Sequence, residues 1–247
     1  MILLFDVGNT TVGVGFAFDQ KIVNSFRLNT NLKKTADEYF IDLKQLIEIK
    51  DITGVAISSV VPAMTRILEE LSIRFLGIHP LIVQPKTRTG INIITDHPKE
   101  VGADLICAAA GVDSEKSTLV IDLGTATKYI YVKKSSIRGV IITPGIKVSI
   151  KALVGNTALL PEIDIDVPKK VLGTNTIECM QSGVTYGTAV QVDGLIELIK
   201  KEVNEEFNII ITGGLAPIII PLIKHEVFYD NNIVYKGLIS IYYRNQH

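Results

Sequence analysis

The feature that most constrains this chain is a pair of turns that recur nearly half the sequence apart. Ile2-Leu3-Leu4-Phe5 runs into Asp6-Val7-Gly8-Asn9-Thr10, and Thr118-Leu119-Val120-Ile121 runs into Asp122-Leu123-Gly124-Thr125-Ala126. Each has the order apolar strand, aspartate, any residue, glycine, hydroxyl or amide residues, then a second strand. A glycine lets the backbone turn tightly with its N–H groups outward, and hydroxyl and amide side chains add donors for phosphate oxygens. An aspartate at the carboxyl end of a strand suits a hydrated magnesium ion. Taken singly, either turn reads equally well as a plain strand connection. Two in equivalent places predict a duplicated α/β architecture that handles phosphate.

The surrounding pattern predicts strands at 2–7, 11–18 and 21–28, and a helix from Thr35 with Glu38 at the capping-box position. A strand at 54–59, a helix from Pro62 to about Phe75, a strand at 80–84 and a helix from Pro98 through Ala110 follow. The pattern then restarts, with strands at 118–122, 127–133 and 137–143 and helices near 146–153 and 175–203. A strand at 208–212, a short helix, a strand near 226–229 and a last helix from about 231 close the chain. Two domains are therefore expected, 1–115 and 116–247, with a cleft between them.

Composition agrees with that size. Of 247 residues 47% are hydrophobic, enough to fill two cores. Basic and acidic residues balance at 25 and 26, so neither a nucleic-acid footprint nor a membrane-surface footprint is expected. Cys107 and Cys179 form no CxxC pair and read as two buried thiols in a reducing compartment. The opening residues lack the basic start and apolar stretch of a signal peptide. The apolar stretch 209–223 is broken by Gly213, Gly214, Pro217 and Pro221, so no membrane span is expected and a soluble cytoplasmic protein is the reading.

Two further segments can carry chemistry. Thr212-Gly213-Gly214 follows a buried strand and precedes a helix, where exposed backbone suits a nucleotide. Glu100-Val101-Gly102-Ala103-Asp104 falls in the first turn of a predicted helix. An aspartate there is commonly only a dipole partner, but it can also accept a hydroxyl proton during phosphoryl transfer. Other readings fail on context. Gly13-Val14-Gly15 lies inside a strand, no GxxxxGK[ST] loop exists, the four histidines lack metal-ligand spacing, and Ser58-Ser59 has no nucleophile elbow or histidine partner.

Together these motifs resemble the type III pantothenate kinases, within the superfamily of acetate and sugar kinases, heat-shock chaperones and actin. The matching residues run along nearly the whole chain. They include Asp6–Thr10, Arg27 with Thr30 and Thr35, Ser58–Pro62, Gly102-Ala103-Asp104 and Asp122–Thr127. Pro144-Gly145, Asn175-Thr176, Gln181-Ser182-Gly183 and Thr212-Gly213-Gly214 continue the match.

The resemblance implies two ribonuclease-H-like (actin-like ATPase) domains with mixed β-sheets flanked by helices, and an ATP-dependent kinase that phosphorylates pantothenate. By position, Asp104 is then the general base and Asp6 the magnesium-handling residue. Asp6, Val7, Gly8, Asn9, Thr10 and Thr11 form the first phosphate turn, and Gly124, Thr125, Ala126 and Thr127 the second. Gly213 and Gly214 lie near adenosine, and Asp122 lies near a monovalent cation, potassium or ammonium. Pantothenate falls to Thr95, Gly102, Ala103, Asp104, Leu105 and Thr176, the last reaching the partner's substrate in a homodimer.

Two positions depart from the family pattern. Leu105 stands where an arginine is usual and Thr95 where a tyrosine is frequent, and both family residues help hold pantothenate. Lys128 stands where a small hydroxylated residue is common, so Lys128 or Arg88 is a candidate for the missing positive charge. A solvated strand lysine is the plainer reading. A nucleotide-binding paralogue with a regulatory role, or a kinase for another small hydroxylated acceptor, competes with pantothenate kinase, because phosphate turns read ATP and not the acceptor.

Overall fold

The computed structural model describes residues 1–46 and 49–246; His247, one of the four histidines, lies outside them. The described chain divides into two units. The first holds Met1–Asp113, Ser135–Ile137 and the residues from Asn232 on; the second holds Ser114–Lys134 and Arg138–Asn231.

The first unit is built on a sheet of β1 (Ile2–Val7), β2 (Thr11–Phe18), β3 (Lys21–Asn29), β4 (Gly54–Ser59) and β5 (Leu81–Ile82). Their spatial order is β3-β2-β1-β4-β5. β1 runs antiparallel to β2 and parallel to β4. The central strand is apolar on both faces because both are covered, with Leu3, Leu4 and Phe5 fully buried. The two-residue connection Asp19-Gln20 has positive φ at both positions, the hairpin geometry that matches strand twist.

Helices α1 (Ala36–Leu46) and α2 (Pro62–Leu76) pack on this sheet. The capping box at the start of α1 forms as the sequence predicts. Thr35 N–H donates to Glu38 Oε2 at 2.8 Å, and Glu38 N–H donates to Thr35 Oγ1 at 3.3 Å. Pro62 sits in the first turn of α2, and Gly77 ends it in the left-handed region at φ 66°.

The expected helix from Pro98 is broken. Residues 98–100 make one 3₁₀ turn, Val101 is extended, and α3 (Ala103–Ala110) starts afresh with Gly102 as N-cap. α3 packs tightly on the last helix, which I-rich residues 233–244 form as α7 (Ile233–Arg244). A Cβ at Gly237 would stand 1.7 Å from Cys107 O, and one at Gly111 would stand 2.1 Å from Ile233 O. Only glycine permits that approach of two helix backbones. The last helix therefore belongs with the first unit, although the sequence places it in a 116–247 domain.

The second unit repeats the plan. β7 (Thr118–Leu123), β8 (Ala126–Lys133), β9 (Ser136–Pro144), β10 (Asn208–Thr212) and β11 (Phe228–Tyr229) lie in the order β9-β8-β7-β10-β11. Strand for strand this is the order of the first sheet. β7 again runs antiparallel to its hairpin partner β8 and parallel to β10. A short β6 (Asn92–Ile93), not foreseen in the sequence, pairs with Ser136 and Ile137. Helices α4 (Ile146–Asn156) and α5 (Thr176–Val203) pack over the sheet, and α6 (Ala216–Ile219) follows β10.

Residues 157–175 form no regular element and run along α5. They are tied there by Gln181 Nε2 to Asp164 O at 3.0 Å, by Tyr186 O–H to Pro168 O at 3.0 Å, and by Ser182 O–H to Val171 O. Cys107 is buried as expected, but Cys179 is exposed, because it lies in the first turn of α5 on the side away from the sheet core. Among the described residues no helix is long and apolar enough to cross a membrane.

Candidate active site

The register of each sheet sets the two turns in equivalent places. On one side Asp6 pairs across to Gly13 and Asp122 to Lys128. On the parallel side Asp6 lies opposite Ser58, and Asp122 opposite Thr212. The aspartates thus occupy one topological position twice, at the carboxyl end of the central strand.

The first turn is closed by the backbone. Gly8 N–H donates to Thr11 O at 2.9 Å, Thr30 N–H donates to Thr10 O at 3.0 Å, and Thr30 Oγ1 donates to Gly8 O at 2.7 Å. Asn9, Thr10 and Thr11 are exposed, whereas Val7 is buried in the core and offers only its backbone. A Cβ at Gly8 would meet nothing nearer than Thr11 O at 3.4 Å, and φ there is not positive. Gly124 is the same, with Ala126 O and Asp122 Oδ1 at 3.4 Å. The expectation that tight turning demands these glycines is therefore not the reason for them: the chain has room for a methyl group at both.

Two other glycines are demanded by the chain. Gly213 has φ 99°, and a Cβ there would stand 2.6 Å from Leu123 O. Gly145, the N-cap of α4, would place a Cβ 2.2 Å from Gly124 O, and its N–H donates to Thr125 O at 3.1 Å. Backbone thus packs on backbone, so that the second turn, the head of α4 and the Thr212-Gly213-Gly214 segment form one patch. Gly214 and Thr125 are exposed on it, Gly124 and Ala126 are half-buried, and Thr127 is buried.

In the first unit Asp6 and Asp104 act on one thiol. Cys107 lies on α3 one turn beyond Asp104, and burial pushes its thiol strongly up. The neighbouring Ser58 hydroxyl opposes that rise, and the charges of Asp6 and Asp104 add to it. Ser58 Oγ is itself buried and makes no hydrogen bond that meets normal geometry, so the weak thiol is its polar neighbour. Asp104 is the second residue of α3, where a carboxylate is favoured by the helix dipole. Its Oδ1 accepts from Leu105 N–H at 2.9 Å and lies 2.5 Å from where a Cβ at Gly102 would be, so Gly102 makes room for it. Ala103 is half-buried beside it.

The two departures from the family pattern differ in setting. Leu105 points into the core at 7% exposure. Thr95 is half-buried with an Oγ1 that is buried and makes no hydrogen bond. A buried hydroxyl without a hydrogen bond costs about 1–3 kcal/mol relative to a paired one. Thr176 is exposed at the first residue of α5, behind the Asn175 N-cap that accepts from Glu178 N–H at 3.0 Å.

Tyr235, which no sequence motif marks, lies close to Asp6. Its hydroxyl lies 2.4 Å from where a Cβ at Gly13 would be, and its ring lies over Gly15. Burial raises this phenol strongly, and Asp6 adds to the shift while Arg27, level with Gly13 on β3, opposes it. A tyrosine in a helix carries no local signal for such a role. In the second unit the equivalent place is taken by Lys128, whose Nζ lies 2.9 Å from Asp122 Oδ2, with side chains 18% and 21% exposed. Arg88, the other cation considered, is exposed in the first unit.

A cavity of about 500 Å³ lined by Leu119, Tyr131, Lys133, Arg138, Glu202 and Glu205 also exists in the second unit. It sits by the start of β7, the opposite end of the sheet from Asp122, and so has no part in the turn chemistry.

Comparison with known proteins gives one answer. The family model of type III pantothenate kinase matches residues 2–198. A type III pantothenate kinase of Acholeplasma laidlawii is 52% identical over 99% of both chains. One from an Exiguobacterium species is 41% identical over 100% of both. The solved structure of (R)-2-hydroxyglutaryl-CoA dehydratase component A from Acidaminococcus fermentans superposes with a TM-score of 0.57 at 13% identity, covering 98% of this chain and 96% of its own. That likeness is one of fold alone, the duplicated actin-like ATPase fold.

Proposed function

The chain belongs to the type III pantothenate kinase family, and on that premise we propose that it transfers the terminal phosphoryl group of ATP to the primary hydroxyl of pantothenate, the first step of coenzyme A synthesis. The observation that carries this reading is the pair of equivalent aspartate–glycine turns, whose glycines the chain itself does not require. A ligand that lies directly on the backbone does require them, and polyphosphate is such a ligand.

Phosphoryl transfer asks mainly for positioning and charge stabilisation. The N–H groups and hydroxyls of Asn9, Thr10 and Thr11, with Gly8 allowing close approach to the backbone, serve one part of the polyphosphate, and the turn Gly124, Thr125, Ala126 and Thr127 another. Gly213 and Gly214 present bare backbone to the nucleoside. Asp104 is the general base, set at a helix start with its carboxylate half-exposed over Gly102. Thr95, Gly102, Ala103, Leu105 and, in a homodimer, Thr176 flank the acceptor. Leu105 brings no charge to the acceptor carboxylate, and Lys128 is engaged by Asp122, which leaves Arg88 as the candidate cation.

Magnesium fits Asp6. Such ions are held by one or two carboxylates with phosphates and water rather than by a dedicated cage, and Asp6 stands beside the first turn. When bound it neutralises charge on the transferring phosphoryl group. A monovalent cation at Asp122 does not fit the donor set. Lys128 Nζ is already there at 2.9 Å, and two like charges about 4 Å apart repel by about 4 kcal/mol at an effective dielectric near 20.

Exposed Ile142, Val148, Leu159, Leu172 and Val190 in the second unit support a homodimer through that unit. A cytoplasmic location is part of the same proposal. The test is release of ADP with and without pantothenate, with the product identified by mass. Pantothenate-dependent ADP release and a phosphorylated pantothenate are expected. Nucleotide binding without turnover, or turnover only with another acceptor, overturns the reading.

A further inference from the structure

We propose that the ammonium of Lys128 serves as a built-in monovalent cation for the second turn, so that phosphoryl transfer by this chain needs no added potassium or ammonium ion; this rests on the kinase reading above. The geometry is specific. Lys128 is the direct cross-strand partner of Asp122 on the antiparallel β7–β8 pair, so both side chains rise from the same face of the sheet. They meet at 2.9 Å with about four-fifths of each side chain out of solvent.

The second turn follows Asp122 directly, and its N–H groups and hydroxyls come from Gly124 to Thr127. A primary ammonium carries the same single positive charge as a potassium ion and is a compact point charge. Tethered to β8, it is present at full occupancy at any salt concentration. In the first unit the matching cross-strand place holds Gly13 under the phenol of Tyr235, so the residue paired with Asp6 there carries no side chain of its own. At the position paired with the aspartate, then, only the second turn carries a cationic side chain, the chain's own lysine at Asp122.

Lys128 acts through the turn and is a positioning residue. The experiment measures ADP release with ATP, magnesium and pantothenate at fixed ionic strength in potassium chloride and in choline chloride, for the native chain and for Lys128→Ser. The native rates should agree within about twofold. Lys128→Ser should be slow in choline and recover at least about tenfold in potassium, the scale of removing and restoring one nearby charge. Melting temperatures in the two salts give a second readout that does not depend on turnover. Potassium should raise the melting temperature of Lys128→Ser and leave that of the native chain unchanged.

A native enzyme stimulated tenfold or more by potassium overturns the proposal, as does a folded Lys128→Ser whose rate and melting temperature ignore the salt. If Lys128→Ser does not fold, Lys128→Gln repeats the test, and the native salt ratio alone still decides against the proposal if it is large. Absence of pantothenate-dependent ADP release in every salt would sink the kinase reading instead, with the melting experiment still testing the lysine.

Discussion

The two halves build the same turn on the same strand order and brace it by opposite means. Across from Asp6 the first half has Gly13, and an aromatic ring from the last helix fills the space. Across from Asp122 the second half has Lys128, and an ion pair fills it. The Tyr235 brace is mainly buried packing and ought to depend little on salt; the Lys128 brace is electrostatic and ought to depend on it. A duplicated fold therefore fixes where the two aspartates stand but leaves their charge balance to residues that the repeat does not constrain.

The contrast is open to attack at several points. The largest effect is expected at Tyr235, buried over Gly13 and Gly15. Tyr235→Ala should cost about 3–5 kcal/mol by denaturant unfolding, with little change between low and high salt. A cost that fell with salt would make the first brace electrostatic after all.

Next in size are the glycines. Gly213→Ala meets both a left-handed φ and the Leu123 backbone, and should cost at least about 1–3 kcal/mol. Gly8→Ala meets neither and should change stability by less than about 1 kcal/mol while weakening ATP binding, read by calorimetry. Equal stability losses at the two sites would show that the first turn, like the second, is held by backbone on backbone.

Smaller effects lie in the ion pairs of the second half. The ammonium of Lys133 and then the hydroxyl of Tyr131 hold the Glu205 carboxyl down to about 2, against 4.5 in the unfolded chain. A depressed carboxylate contributes stability above its unfolded pKa and loses it as pH falls through the folded one. Melting temperature should therefore drop between about pH 4.5 and 2 more steeply for the native chain than for Glu205→Gln.

The smallest effect is at His225. Burial pulls its pKa down, but hydrogen bonds to Asp193 and Glu197, both 2.7 Å, raise it above 6.5 overall. Its contribution is complete below pH 6.5 and fades as pH rises through the folded value, so the melting gap to His225→Gln should narrow on going alkaline. The corresponding difference in stability should not exceed about 1 kcal/mol. An imidazole titration midpoint below 6.5 by NMR would contradict the raised value.

Much of this was legible because the signals are local. The apolar runs of β1 and β7, the capping box at Thr35 and Glu38, Pro62 at the head of α2 and the paired aspartates all read directly from neighbours in the chain. What was hidden depends on contacts far apart in sequence. The α3–α7 approach through Gly111 and Gly237 draws the last helix into the first unit. The extended Val101 that splits the Pro98 helix and frees Gly102 to shelter Asp104 has no cue in a helix-forming stretch. Lys128 drew notice as an unexpected cation, yet its pairing with Asp122 only appears once the β7–β8 register is known.

As the proposed general base, Asp104 would join the turn chemistry to the acceptor. Steady-state kinetics and ATP calorimetry on Asp104→Asn test it most directly. The prediction is a fall in kcat of about 10²–10⁴-fold with ATP affinity within about twofold of the native chain. Turnover near the native rate in a correctly folded Asp104→Asn chain would contradict it.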